Sequence, residues 1–222
     1  MPELKNNVLT PELYAYVLAH NPPLDAVQSA LVEFTHDTLP DVAVKQIPKE
    51  QAALLPFLVR LTGARQLLEV GTFTGLSALS MARALPPGEG RLITLDISEE
   101  WTAHARRAWA EAGVADRIEL RIAPALDSLR ALPAEPHLDL AFLDANKDGY
   151  IAYWEEIVPR LRVGGLLVVD NVLFNGTVVD PSVTAGPGAD VRAFNAHAAK
   201  DSRMESVMLT VADGVTLARR VG

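Results

Sequence analysis

The spacing of apolar residues divides the chain into two parts. Up to residue 62 the apolar residues recur at helical spacing, and Thr10-Pro11-Glu12 has the capping hydroxyl and early proline that are typical of a helix start. Pro22-Pro23 interrupts the pattern, and two further helices are expected over 24–38 and 50–62. The sequence therefore predicts a helical N-terminal extension over residues 1–62.

From residue 66 onward, short apolar runs alternate with amphipathic stretches. The runs predict five strands, at 66–70, 91–96, 118–122, 138–144 and 166–170. The stretches between them predict helices at 76–85, 99–112, 126–132 and 150–161. Strands that alternate with helices indicate a parallel sheet with helices on both of its faces.

The last part of the chain follows a different pattern. A helix is expected over 190–200, followed by strands at 205–211 and 215–219, and Ala212-Asp213-Gly214 between these strands is typical of a hairpin. The predicted fold class is α/β, with a Rossmann-like, seven-stranded, mostly parallel sheet that ends in an antiparallel hairpin. A single domain over residues 1–222, with its core at 63–222, is the simplest arrangement.

Composition and charge exclude several classes of function. Lys and Arg number 20 against 28 Asp and Glu, a net charge of −8, which disfavours nucleic acid and anionic membranes as partners. There is no cysteine, so disulfides and thiolate metal sites are excluded. The first residues are too polar for a secretory signal, so a cytoplasmic protein is expected.

The first predicted strand leads into a candidate cofactor loop, Gly71-Thr72-Phe73-Thr74-Gly75. Its two glycines permit a tight turn and close approach of a ligand, but the three-glycine dinucleotide fingerprint is missing. Glu69 beside the loop repels phosphates and suits a ligand with an amine, and Asp96 at the end of the next strand is placed to bind ribose hydroxyls. These residues favour an adenosine ligand and leave open whether it is NAD or S-adenosylmethionine. The alternative is that no ligand binds here and that these residues form an ordinary strand-to-helix turn, with Glu69 in solvent and Asp96 as a helix cap.

Candidate metal ligands follow the fourth and fifth predicted strands. Asp144 ends one strand and Asp170-Asn171 ends the other, so their side chains are expected to meet at the same edge of the sheet. Two carboxylates and an amide oxygen suit Mg²⁺, Mn²⁺ or Ca²⁺, whereas the alternative is that both Asp residues cap helices. Lys147 lies three residues after Asp144 and is either a general base beside the metal or an exposed lysine.

Taken together, these residues resemble the cation-dependent class I O-methyltransferases, the group of caffeoyl-CoA O-methyltransferases and catechol O-methyltransferase. The resemblance covers residues 9–220 and is most specific at 68–77 (Leu-Glu-Val-Gly-Thr-Phe-Thr-Gly-Leu-Ser), 144–150 (Asp-Ala-Asn-Lys-Asp-Gly-Tyr), 164–176 and 211–220. Enzymes of this group have the predicted sheet with its terminal hairpin. They move a methyl group from S-adenosylmethionine to a hydroxyl of a catechol-like molecule with the help of Mg²⁺ or another hard divalent cation.

The resemblance implies a role for each matching position. It implies Asp144, Asp170 and Asn171 as metal ligands and Lys147, with Asp144, as the catalytic residues. The implied contacts of the cofactor are Ile47, Glu69, Gly71, Thr72, Ser77, Asp96, Ala125, Asp144 and Asn146. The implied substrate-side positions are Lys5, Lys45 and Asn175.

Two positions depart from the family pattern. Asn146 replaces a common Asp, which removes a charge but keeps the capacity to hydrogen-bond the cofactor. Lys45 replaces a common Met, so its side chain is expected either to face an anionic group of the substrate or to point into solvent.

Three other classes of function compete with a methyltransferase. They are an NAD(P)-dependent oxidoreductase, a non-catalytic binding protein on a methyltransferase-like fold, and a metal-dependent hydrolase. The missing fingerprint and the terminal hairpin argue against the first, and the presence of all three metal ligands argues against the second. The family resemblance also implies a homodimer that acts on a small molecule.

Overall fold

A computed structural model describes residues 8–222, and its centre is a seven-stranded sheet. The strands lie in the order β3-β2-β1-β4-β5-β7-β6, and only the contacts of β7 with β5 and β6 are antiparallel. Their bounds are β1 Gln66–Val70, β2 Arg91–Asp96, β3 Ile118–Ile122, β4 Leu138–Leu143, β5 Leu161–Asp170, β6 Met204–Leu209 and β7 Val215–Arg220. The predicted mostly parallel sheet with a terminal antiparallel pair is confirmed.

Three helices precede the sheet and five others connect or flank its strands. Their bounds are α1 Pro11–Ala19, α2 Ala26–Thr38, α3 Lys49–Thr62, α4 Leu76–Ala84, α5 Glu99–Glu111, α6 Ala125–Arg130, α7 Tyr150–Ile157 and α8 Pro187–Ala198. The Thr10 side chain caps α1, as predicted, and Asp25 caps α2 in a reciprocal pair with Gln28. No described helix is long and apolar enough to cross a membrane, and the cytoplasmic location stays a prediction.

The main difference from the predicted elements lies around β5. This strand begins at Leu161, five residues earlier than expected, and α7 correspondingly ends at Ile157. Gly164-Gly165 obscured the strand, because glycine has a low strand propensity and Gly164 adopts a φ of +80°. The hairpin loop is also longer than predicted, since β6 ends at Leu209 and Ala212 and Gly214 both have positive φ.

The register of the parallel strands aligns the predicted site residues. Val70 lies opposite both Leu95 and Leu143, and Leu143 lies opposite Val169. The residues that follow these four are Gly71, Asp96, Asp144 and Asp170, which therefore form one row at the carboxyl edge of the sheet. Three of the four carry carboxylates, so the sheet itself collects negative charge at this edge.

Helices cover both faces of the sheet. Residues of α2 to α5, such as Leu55 and Trp109, pack on one face, and residues of α6 to α8, such as Trp154 and Phe194, pack on the other. Leu31 of α2 belongs to the first of these cores, so the N-terminal helices share it with the sheet. The division into an extension at 1–62 and a core at 63–222 of a single domain stays a prediction.

Candidate active site

The loop after β1 is held by the row of residues at the sheet edge. Gly71 has a φ of +99°, and a Cβ on it would lie 1.9 Å from the Asp144 carbonyl oxygen, so only glycine fits here. The backbone N–H groups of Thr72 and Phe73 donate to Asp96 Oδ2 at 3.0 and 2.8 Å. Asp96 thus fixes the shape of the loop from the neighbouring strand, while Ser98 caps α5.

Glu69 is a fully buried carboxylate at the base of this loop. Its Oε2 accepts a hydrogen bond from Thr94 at 2.5 Å, whereas its Oε1 is buried without a hydrogen-bond partner. Burial, together with the charges of Asp144 and Asp96, raises the pKa of Glu69 to about 8, although the nearby hydroxyls of Ser77 and Thr94 oppose the rise. A buried acid with a free oxygen is suited to a ligand that brings a positive charge or an N–H donor. The alternative of a strand-to-helix turn with a solvated Glu69 is wrong, because Glu69 is 0% exposed.

Two of the three predicted metal ligands, Asp144 and Asn171, accept hydrogen bonds from the ammonium group of Lys147. Lys147 Nζ donates to Asp144 Oδ1 at 2.9 Å, to Asn171 Oδ1 at 2.6 Å and to the Tyr150 hydroxyl at 2.6 Å. The alternative that Lys147 is an exposed loop residue is wrong, because its side chain is 11% exposed. The cluster is therefore a site that already attracts a cation.

Asp170 accepts two hydrogen bonds on one of its carboxylate oxygens. Its Oδ1 accepts hydrogen bonds from Gln51 Nε2 and from the Asn171 backbone N–H, both at 2.7 Å. Burial and the nearby charge of Asp144 raise the pKa of Asp170 to about 7, against the opposing effects of Gln51, the Asn171 N–H and Lys147. The described residues contain no cluster of three His, Cys, Asp or Glu side chains that could hold a metal ion, and the predicted metal site has only two carboxylates and one amide.

The chain beyond β5 is unusually bent. Asn171, Phe174 and Asn175 have φ between 41° and 55°, a region in which L-residues are uncommon. The Asn175 backbone N–H donates to Asp213 Oδ1 at 2.6 Å, which ties this segment to the loop before β7. Asn175 itself is exposed, and its role toward a substrate stays a prediction. Strain of this kind concentrates at functional sites.

The remaining predicted cofactor positions lie in different environments. Ile47, Thr72 and Ser77 are buried, Ala125 begins α6, and the exposed Asn146 accepts a hydrogen bond from Tyr153. Their contacts with a cofactor stay predictions.

Lys45 lies over an aromatic side chain that the sequence interpretation did not single out. Its Nζ is 4.5 Å from the ring centroid of Trp101, and Phe73 of the glycine loop contacts the same ring edge-on. Its role toward a substrate stays a prediction. The predicted substrate residue Lys5 lies outside the described residues.

Comparison with known proteins gives the family. A family model described as O-methyltransferase matches residues 21–221. The chain belongs to the O-methyltransferase family. Probable caffeoyl-CoA O-methyltransferase 1 of Dictyostelium discoideum is 35% identical to it over 210 residues, which cover 93% of this chain and 90% of that protein.

Solved structures agree with this assignment. An O-methyltransferase of tomaymycin synthesis from Streptomyces achromogenes, in complex with S-adenosylmethionine, is 34% identical with a TM-score of 0.85 and covers 95% of this chain and 96% of that one. An O-methyltransferase from Bacillus cereus, in complex with SAH, is 31% identical with a TM-score of 0.84, covering 93% of this chain and 96% of that one. The predicted S-adenosylmethionine-dependent O-methyltransferase is thereby confirmed at the level of the family, and an oxidoreductase is not supported.

The buried acid of this O-methyltransferase gives a pH prediction. The pKa of Glu69 in the folded, ligand-free protein is about 8, above its ordinary value of 4.5. The folded state then holds the proton more tightly than the unfolded state, so this contribution to stability is complete below pH 4.5 and is lost as the pH rises through 8. We expect the melting temperature to fall between pH 6 and pH 8.5, and to fall less in Glu69→Gln.

The measurement is scanning calorimetry with a chelator and no cofactor. Glu205→Gln, which changes an exposed glutamate on β6, is the matched control and should follow the unmodified protein. The pKa of Asp170 contributes a fall in the same direction, so the slope in Glu69→Gln is reduced and does not vanish. An equal fall in all three proteins would contradict the assignment of a raised pKa to Glu69.

Proposed function

We propose that this O-methyltransferase transfers the methyl group of S-adenosylmethionine to one hydroxyl of a catechol-like molecule, with a divalent metal held by Asp144, Asp170 and Asn171. The observation that supports this most strongly is the set of oxygens around the Lys147 ammonium. It includes those of Asp144, in the row that also carries Gly71 of the glycine loop, and of Asn171, one residue beyond that row. A cation site and a candidate cofactor site thus share one edge of the sheet.

The glycine loop is the proposed site of the cofactor. S-adenosylmethionine supplies a methyl group on a positively charged sulfur and also carries an amino group. The free, buried Oε1 of Glu69 suits that amino group as its acceptor. Asp96, whose carboxylate is already oriented by the loop, retains acceptor capacity for ribose hydroxyls.

The donor set fits a hard divalent cation. Carboxylate and amide oxygens are the ligands that Mg²⁺ and Mn²⁺ prefer. A divalent cation at this place would lower the pKa of a hydroxyl beside it and orient two neighbouring oxygens of one substrate. Asp144 and Asn171 now hold the Lys147 ammonium, and Asp170 has a carboxylate oxygen, Oδ2, that accepts no hydrogen bond from the described residues.

Lys147 is the proposed proton acceptor, in the uncharged amine form that can take up a proton. Its Nζ lies within hydrogen-bond distance of two of the three proposed metal ligands, so a substrate hydroxyl at the same place would be within its reach. The buried Tyr150 hydroxyl links Lys147 to the Asp170 backbone carbonyl and limits how far the lysine moves. The cluster around Lys147 is thus proposed to do two things. It removes the proton of the substrate hydroxyl, which Nζ takes up, and it aligns that hydroxyl with the methyl group.

The first test compares two phenols in the presence and absence of metal. Catechol has two adjacent hydroxyls and its singly methylated product has one, so we expect rapid methylation of catechol with Mg²⁺, little with chelator, and slow methylation of the product. Transfer of a labelled methyl group is the measurement. Equal rates for the two phenols would contradict binding through both oxygens, and full activity in chelator would contradict metal dependence.

The ligands are tested by Asp144→Ala and Asp170→Ala. Each is expected to lose roughly 100-fold or more of the rate, since metal stabilisation of a transition state is worth several kcal/mol. Asp116→Ala, which removes an exposed carboxylate before β3, is the control and should retain the rate. A metal-dependent rate that survives either ligand change would show that the ligand set is wrong.

Replacement of Lys147 separates its two proposed effects. Lys147→Met removes the base, and loss of a general base costs roughly 10²- to 10⁴-fold in rate. The same change removes a positive charge from the ligand cluster, so Mn²⁺ should bind more tightly, as measured by electron paramagnetic resonance. Unchanged turnover would exclude Lys147 as the base, whatever the metal affinity.

We also propose that the protein is a homodimer that associates through α1 and α3. The described residues of α1 include no buried one, although the Tyr14 hydroxyl donates to Glu50 near the start of α3. Tyr16 on α1 and Phe57 and Leu61 on α3 are 61%, 58% and 68% exposed. Phe57 and Leu61 are four positions apart on one face of α3, and exposed large apolar side chains of this kind are typical of an interface.

The dimer is tested by light scattering after size-exclusion chromatography. We expect the double variant Phe57→Ser and Leu61→Ser to have the mass of one 24.0 kDa chain where the unmodified protein has twice that mass. Val163→Ser, which changes an exposed apolar residue of β5, should leave the mass unchanged. A single-chain mass for the unmodified protein would contradict the proposal.

A further inference from the structure

Gln51 connects the N-terminal helices to the proposed metal site. It lies in the first turn of α3 and is 2% exposed. Its Nε2 donates to Asp170 Oδ1 at 2.7 Å across 119 positions of sequence. The three proposed metal ligands lie at the carboxyl ends of β4 and β5, and Gln51 brings the α3 helix into direct contact with one of them, Asp170.

The hydrogen bonds of Asp170 distinguish its two oxygens. Oδ1 accepts from Gln51 and from the Asn171 N–H, whereas Oδ2 accepts from no described residue. Two donors on one oxygen fix the plane and the rotation of the carboxylate. Without Gln51, the backbone N–H of the next residue alone would hold Oδ1, and the carboxylate would be free to turn.

The other end of the Gln51 amide carries a cost. Its Oε1 is buried without a hydrogen-bond partner, which is typically unfavourable by about 1–3 kcal/mol. Turning the amide over would not relieve this cost, because Oε1 would then face Asp170 Oδ1 and two acceptors would meet. The orientation of Gln51 is therefore set by the carboxylate and not by packing.

We propose that Gln51 is a positioning residue that orients Asp170 for the divalent metal through its hydrogen bond to Oδ1. This inference rests on the proposed metal dependence. Residues that orient a ligand in this way typically change metal affinity by 10- to 100-fold when they are replaced. Gln51 makes the affinity of the site for metal depend on the docking of α3.

The test measures Mn²⁺ binding to the ligand-free protein by electron paramagnetic resonance. Gln51→Met keeps the length of the side chain and removes the donor, so we expect the dissociation constant for Mn²⁺ to rise roughly tenfold or more. Gln51→Asn keeps a buried amide that is one methylene too short to reach Asp170, and we expect the same result. This second variant serves if the first does not fold.

Gln28→Met is the matched control. Gln28 is also a buried glutamine in an N-terminal helix, and its Nε2 donates to Ser80 on α4 instead of to a metal ligand. We expect this variant to lose stability and to bind Mn²⁺ as the unmodified protein does. Calorimetric binding of S-adenosylmethionine should be unchanged in the Gln51 variants, because Glu69 and the glycine loop are untouched.

The outcomes separate the inference from the proposed function. Mn²⁺ binding by the unmodified protein together with equal binding by the Gln51 variants would overturn the role of Gln51 alone. A loss of affinity equal to that of Gln28→Met would also overturn it, because the effect would then be one of stability. Absence of Mn²⁺ binding in the unmodified protein would overturn the metal site itself, and the inference with it.

Discussion

The strand register that aligns Asp96, Asp144 and Asp170 at one sheet edge is the constraint on which the site depends. Glu69 lies two positions before Gly71 of this row and points toward the same face, where Ser77 and Thr94 are its neighbours. Negative charges this close repel one another, and burial deprives them of water. The raised pKa values of Glu69 and Asp170 are the direct result.

This constraint explains why the same edge suits two different cations. The Lys147 ammonium already lies among Asp144 and Asn171, while the Oε1 of Glu69 has no partner. In the proposed function a divalent metal relieves the repulsion on one side, and the charged group of the cofactor relieves it on the other. The proximity of the proposed metal site and the proposed cofactor site would then follow from the strand register.

Much of this site follows from the sequence, because strand ends in a parallel sheet all meet at one edge. An Asp or Glu at or near the end of four of the five apolar runs is visible without a structure, and the order of the runs predicted the sheet and its antiparallel end. The same reasoning left undecided whether Lys147 is buried, since local spacing does not show where a long side chain lies. The structure shows where the Lys147 side chain lies, because its Nζ donates hydrogen bonds to three acceptors from three different segments of the chain.

Contacts across long distances in the sequence could not be predicted. Gln51 precedes Asp170 by 119 positions and belongs to a helix whose packing on the sheet has no local signal. Thr94 points toward Glu69 only because β1 and β2 are neighbours in register, and Trp101 meets Lys45 through the docking of α5. The early start of β5 was missed for a local reason, because two glycines interrupt its apolar pattern.

The position of β7 has a consequence for synthesis on the ribosome. Chains emerge from the N-terminal end, so β5 with Asp170 is made well before β7, yet β7 lies between β5 and β6 in the finished sheet. Until β7 emerges, one edge of β5 is an unpaired row of N–H and C=O groups in a strand rich in Leu and Val. The nascent chain therefore passes through a stage in which the strand that carries Asp170 exposes an unpaired edge, to which another chain could pair.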